Sequence, residues 1–211
     1  MAIRVKICGL TTLDTLQAVV DAKAAYVGFN FFPASPRYVS PEAARALAIE
    51  VPVGVAKVGL SVDADNATLD AINEKVPLDM LQLHGSESPE RVVEVRARYG
   101  LPVMKVIGIS DAEHVAGIEA YSNVADQIMV DAKPPKNAIL PGGNGVAFDW
   151  RLIANRRWSL PWMLAGGLTP DNVAEAIALT GAAQVDVSSG VESAPGQKDC
   201  DLIRQFVTNA G

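Results

Sequence analysis

Ile3-Arg4-Val5-Lys6-Ile7-Cys8 opens the chain as a strand-like run that ends on a thiol. Four later runs follow the same plan. Asp79–Leu83 ends on His84, Gln127–Val130 on Asp131, Trp162–Ala165 on Gly166-Gly167, and Ala183–Val187 on Ser188-Ser189. A buried parallel strand is normally apolar along its length. Reactive or anion-binding groups collected at the C-terminal tips of such strands mark the active face of an α/β protein.

Working outward, strand-like segments recur at 3–7, 26–30, 54–60, 79–83, 102–107, 127–131, 161–165 and 184–187, with helical periodicity between them. Leu13, Leu16, Val19 and Val20 share one helical face; Leu69 pairs with Ile72, and Val92 with Val93 and the stem of Arg96. Alternating βα units imply a parallel sheet with right-handed crossovers. Eight units in this length suit one (β/α)8 TIM barrel domain over residues 1–211, with an open doubly wound sheet as the structural rival. Ser40-Pro41-Glu42, Ser88-Pro89-Glu90 and Thr169-Pro170-Asp171 each read as a helix start. In each, a hydroxyl caps free N–H groups, proline presets φ, and an acid complements the dipole. The long loop 132–147, with Gly142-Gly143-Asn144-Gly145, exceeds a tight connection and suggests function or mobility. It lacks the context of a nucleotide loop.

Composition narrows the partners. The chain has 211 residues, net charge −6, 49% hydrophobic and 20% charged residues. An acidic balance argues against nucleic acid. No apolar stretch approaches the ~20 residues of a membrane span, and the N-terminus lacks the apolar region of a signal peptide. These features point to a cytoplasmic protein with no membrane association. The two cysteines and two histidines have no metal-ligand spacing. A Cys8–Cys200 disulfide does not suit a reducing compartment.

Strand parity sorts side chains between helices and barrel interior. Ile3, Val5 and Ile7 face one way; Arg4, Lys6 and Cys8 face the other, into the barrel. Gln82, His84, Asp131, Gln184 and Asp186 follow them inward, and Lys105 is expected to join them. Deep in the strands such charges read equally as a paired ionic core or as chemistry; at the tips, Cys8 and Asp131 read as chemistry. Gly166-Gly167 after the seventh strand and Ser188-Ser189-Gly190 after the eighth form a candidate phosphate site.

With those residues in view, the chain resembles the phosphoribosylanthranilate isomerase family. The resemblance rests on Lys6-Ile7-Cys8-Gly9-Leu10-Thr11, Phe32-Pro33-Ala34-Ser35-Pro36-Arg37-Tyr38-Val39, Gln82-Leu83-His84-Gly85, Val130-Asp131, Ala165-Gly166-Gly167-Leu168, and Val187-Ser188-Ser189-Gly190-Val191-Glu192, in that order. Gly143-Asn144-Gly145 before Phe148-Asp149-Trp150, and Pro195-Gly196-Gln197-Lys198-Asp199, extend it over essentially the whole chain. Asn30 stands where the family more often has an apolar residue, and Asn144 where threonine is common; neither is expected to touch the reacting groups.

The resemblance implies an Amadori rearrangement in tryptophan biosynthesis. N-(5-phosphoribosyl)anthranilate becomes 1-(2-carboxyphenylamino)-1-deoxyribulose 5-phosphate. It implies Asp131 as general acid and Cys8 as general base. Burial should keep Asp131 protonated, and nearby positive groups should help Cys8 ionise. Arg37 is the expected clamp for the anthranilate carboxylate. Asp186 should meet a sugar hydroxyl or orient the catalytic groups. His84 either lines the pocket or bonds within the barrel. No cofactor or metal is implied; the partner is a small phosphosugar, and the protein a monomer or homodimer. The histidine-pathway aldose–ketose isomerase is the rival enzyme, expected to use an aspartate pair. A non-catalytic phosphosugar-binding barrel is the rival outside catalysis.

Overall fold

The computed structural model describes residues 2–133, 142, 147–154 and 156–211. Most of the 132–147 loop, including Asn144, therefore lies outside the described residues. Eight parallel strands close into a barrel in sequence order. They are β1 (Arg4–Cys8), β2 (Tyr26–Asn30), β3 (Ala56–Ser61), β4 (Met80–Leu83), β5 (Val103–Ile109), β6 (Gln127–Ala132), β7 (Trp162–Leu164) and β8 (Gln184–Val187). Closure comes from β1 pairing with both β2 and β8. The doubly wound rival is thereby excluded.

Helices α1 (Leu13–Asp21), α2 (Pro41–Ala48), α3 (Asn66–Lys75), α4 (Pro89–Tyr99), α5 (Ala112–Gly117) and α6 (Val173–Thr180) follow individual strands, and α7 (Cys200–Ala210) ends the chain against α1 and α6. Between β6 and β7 the described residues hold only a 3₁₀ turn, Trp150–Leu152. After β8 a short 3₁₀ turn (Ser189–Val191) leads into a hairpin of β9 (Glu192–Ala194) and β10 (Gln197–Lys198).

Two of the three marked helix starts hold: Ser40 accepts from the Ala43 N–H and Ser88 from the Arg91 N–H, each with proline in the first turn. The third does not. The α6 cap is Asn172, three residues later; its Oδ1 accepts from the Thr169 N–H and its Nδ2 donates to the Gly167 carbonyl. The asparagine folds the chain back onto the glycine pair before the helix begins. Two apolar positions also fall outside the buried stripes. Leu13 sits exposed at the first position of α1, and Val93 lies off the α4 stripe, which runs through Val92 and Val95.

The core has two parts. The outer one lies between strands and helices and includes Val5, Ile7, Val27, Phe29, Leu81, Leu83, Ile128, Val130, Val185 and Val187. The inner one fills the barrel with Tyr26, Val58, Met104, Val106, Met129, Met163 and Ala165. Met104 and Val106 therefore point inward from β5, and Lys105 between them points outward. This corrects the expectation that Lys105 joins the interior charges. Its ammonium is buried in the helical layer, 2.7 Å from a Glu87 carboxylate oxygen and 2.7 Å from the Gly85 carbonyl.

Candidate active site

Parity carries Lys6 and Cys8 of β1 and Asp186 of β8 to the same side of the sheet, where Lys6 lies in register with Asp186. Lys6 is fully buried and its ammonium donates to Asp186 at 2.8 Å. Burial alone would lower the Lys6 pKa, but Asp186 and Cys8 together hold it above its ordinary value. Burial pushes the Cys8 thiol up, while Lys6 and Lys198 pull against that rise.

An open cleft lies at the C-terminal ends of the strands, the face where an α/β barrel gathers its functional groups. Every candidate residue of the sequence except Gly190 lines it: Cys8, Arg37, His84, Asp131, Gly166, Gly167, Asp186, Ser188 and Ser189. Gly190 acts one layer behind. A Cβ there would run into the Leu168 carbonyl oxygen, so only glycine lets the loop after β8 lie against the loop after β7. Gly166 has φ +87° and a Cβ on it would stand 2.5 Å from the Ala132 nitrogen and 3.0 Å from Asp131 Oδ1. The backbone of the β7 loop is thus drawn against the acid at the end of β6.

Asp131 Oδ1 accepts from the Ala132 N–H at 2.7 Å. Its other oxygen faces His84 Nε2 at 3.2 Å, an approach outside hydrogen-bond geometry. Gln82 Nε2 lies 3.2 Å from His84 Nδ1. With the amide donating, Nδ1 is the acceptor and the ring proton sits on Nε2, toward Asp131. Both sequence readings of His84 therefore hold at once: it lines the cleft and it bonds within the barrel.

Arg37 is 5% exposed, so it is not a surface arginine. Its Nε and Nη2 donate to the two oxygens of Glu192 at 2.7 and 2.9 Å. Asn30 shapes the turn that carries it. Asn30 donates to Ser35 Oγ and accepts from the Phe32 N–H, and Ser35 Oγ accepts from the Arg37 N–H. Asn30 also lines the cleft, while its own hydrogen bonds go to Ser35 and Phe32.

Lys198 and Glu192 stand out in the sequence only as parts of longer motifs. Lys198 donates to Glu192 at 2.6 Å and to the Ser188 carbonyl at 2.9 Å, and Ser188 Oγ donates to the Cys8 carbonyl at 3.1 Å. Burial pulls the Lys198 ammonium below its ordinary range, and Glu192 opposes that shift. Both residues sit on the hairpin after the last strand, where strand parity assigns no inside or outside. Among the described residues, no group of three or more His, Cys, Asp or Glu side chains could hold a metal ion.

The glycine and serine loops after β7 and β8, a thiol and a carboxylate at the tips of β1 and β6, and a buried arginine thus share one cleft. The family model for N-(5'-phosphoribosyl)anthranilate (PRA) isomerase matches residues 5–209. The chain belongs to the phosphoribosylanthranilate isomerase family. It is 62% identical to the N-(5'-phosphoribosyl)anthranilate isomerase of Paracoccus denitrificans over 210 residues, covering 100% of this chain and 98% of that one. It is 62% identical to the isomerase of Cereibacter sphaeroides, covering 99% and 98%. The phosphoribosylanthranilate isomerase of Thermotoga maritima superposes with a TM-score of 0.89 at 38% identity, covering 99% of this chain and 98% of that one. A second solved isomerase, in complex with reduced 1-(o-carboxyphenylamino)-1-deoxyribulose 5-phosphate, has a TM-score of 0.84 at 36% identity, with the same coverage. The chain is an isomerase of tryptophan biosynthesis, and its reaction is the Amadori rearrangement of N-(5'-phosphoribosyl)anthranilate. The histidine-pathway and non-catalytic readings give way to this one. No helix among the described residues is long and apolar enough to cross a membrane.

Proposed function

We propose that this isomerase divides the rearrangement between two strand tips. Asp131 is the acid that protonates the ring oxygen and opens the furanose. Cys8 is the base that removes the C2 proton of the resulting Schiff base. The observation that carries this reading is the convergence of Cys8, from β1, and Asp131, from β6, on one cleft. Two groups with opposite protonation needs in one pocket are the signature of acid–base division of labour.

The substrate phosphate meets the loops after β7 and β8, where Gly166, Gly167, Ser188 and Ser189 line the cleft and Gly190 holds the two loops together. Arg37 supplies the positive charge for the anthranilate carboxylate, oriented by its bidentate partner Glu192. Asp186 stands between Lys6 and the cleft, within reach of a sugar hydroxyl. This reading places the enzyme in the cytoplasm, where unpaired cysteines such as Cys8 and Cys200 persist.

The test follows substrate fluorescence, with N-(5'-phosphoribosyl)anthranilate generated in place. Cys8→Ala and Asp131→Asn should each lose activity by about 10²-fold or more, the scale of acid–base catalysis. Turnover within a few-fold of wild type in either variant would remove that residue from its role.

A further inference from the structure

Lys6 is buried with a full charge next to the thiol that the rearrangement needs as a thiolate. A buried ammonium is costly unless it is paired, and Asp186 pairs it at 2.8 Å. That pair explains how Lys6 survives burial, but not why it lies under Cys8. The geometry around Gly28 does. A Cβ at Gly28 would stand 3.0 Å from Cys8 Sγ and 3.1 Å from Lys6 Nζ. Sulfur and ammonium flank the same point and are no farther apart than about 6 Å. No side chain separates them, because position 28 carries none.

We propose that Lys6 is a positioning residue for the Cys8 base, with its ammonium, held by Asp186, as the standing counter-ion of the thiolate. The inference rests on the assignment of Cys8 as base. In the proton-transfer step the C2–H bond breaks and an S–H bond forms. The C2–H electron pair becomes the C1–C2 double bond, and the C1–N π pair moves to nitrogen. The base thus passes from charged to neutral beside a cation that stays charged throughout. An opposite charge within ~4–6 Å favours the ionised form of a thiol and offsets the penalty of burial. Asp186 works in the opposite sense on the thiol while fixing Lys6 in place. The other ionisable groups near the sulfur are Lys198 behind the loop after β8, Arg37 packed against the neighbouring Gly9, and His84 and Asp131 in the same cleft.

The experiment is a thiol titration, which needs no turnover. In a Cys200→Ser background Cys8 is the sole thiol, and its ultraviolet thiolate absorbance is followed against pH with Cys8→Ser as blank. Lys6→Met should raise the midpoint by about one pH unit or more, and Asp186→Asn should lower it. Lys6→Arg, which keeps the charge, should stay within about half a pH unit of the parent. Below the midpoint, kcat/KM of Lys6→Met should fall about tenfold for every pH unit by which the midpoint rises, and recover at higher pH. A general packing defect would move both single variants the same way, so parallel changes overturn the inference. So does an unmoved midpoint in Lys6→Met. Circular dichroism monitors the fold. If Lys6→Met does not fold, Lys6→Met/Asp186→Asn keeps the pair neutral and is compared with Asp186→Asn alone: its midpoint should lie about one pH unit or more above that single variant, and a midpoint equal to or below it is the refuting result. Retained turnover in Cys8→Ala would remove the base assignment instead, and the titration would still report the Lys6 effect.

Discussion

Glu192 is the residue whose removal should damage stability and binding together. Its carboxylate accepts from Arg37 Nε and Nη2, from Lys198 Nζ, and from the Gly196 N–H. The side chains of all three ionic partners are nearly inaccessible, at 6% for Arg37, 4% for Glu192 and 1% for Lys198. Screening by solvent is therefore weak. Glu192→Gln keeps the shape but turns an amide toward one of two buried cations. Breaking a buried ion pair from one side costs about 3–5 kcal/mol, because the remaining charge is left uncompensated. At about 2–4 °C per kcal/mol for a chain of this size, the melting temperature should fall by roughly 6–20 °C. Arg37 also loses the partner that fixes its orientation. KM should rise roughly tenfold, the scale of one lost charge-assisted contact, with kcat less affected. Burial alone would raise the Glu192 carboxyl, but Arg37 and Lys198 outweigh burial and hold it below its ordinary value. A carboxyl depressed in the folded state contributes stability above its unfolded pKa and loses it as pH falls through the folded value. Wild type should thus melt progressively lower below about pH 5, and Glu192→Gln should show a shallower decline over the same interval. Thermal melts across pH, with KM measured at neutrality, make the test. A variant melting within about 2 °C of wild type, with the same KM and the same acid slope, would refute the reasoning.

Two further substitutions separate frame from site. Lys105→Met strands Glu87 in the helical layer and should cost about 3–5 kcal/mol in denaturant unfolding, while kcat stays near wild type because Lys105 faces away from the cleft; a loss of kcat with unchanged stability would return Lys105 to the barrel interior. Gly190→Ala forces the loop after β8 away from the Leu168 carbonyl, so KM should rise by about tenfold or more with the fold retained by circular dichroism, and an unchanged KM would show that the two loops need not touch to hold the phosphate.

The strand pattern was legible because a buried parallel strand gives a strong signal. All eight segments expected from the sequence became strands, β2 and β8 with the expected bounds and the other six with an end shifted by one or two residues. Parity then sorted Lys6, Cys8, Gln82, Asp131 and Asp186 correctly, since each lay in a strand whose apolar neighbours fixed the alternation. Lys105 failed for an identifiable reason. Val103, Met104, Val106, Ile107 and Ile109 are apolar on both faces of β5, so alternation carries no information there. The side of the sheet was set by register against β4 and β6, where Lys105 lies opposite Leu83 and Ile128. The α6 start failed similarly, because Thr169-Pro170-Asp171 satisfies the local capping rule while Asn172 is used to bind the Gly167 carbonyl.

What the sequence could not display is the second tier of charge. Arg37 was recognisable as a guanidinium on a proline-stiffened loop, but its bidentate partner lies 155 residues later. Lys198 reaches the site by crossing under Ser188, from a hairpin with no alternating pattern. Such residues satisfy buried charges rather than contact a ligand, and their need arises only once the first tier is assembled. Arg37 must be held in one orientation to present a planar fork, and a carboxylate does this best. That carboxylate is then itself buried and takes a second cation, Lys198, whose bonds to Ser188 tie the network to the carbonyl of Cys8. Arg37 and the thiol-bearing Cys8 are thereby linked through a continuous chain of buried contacts.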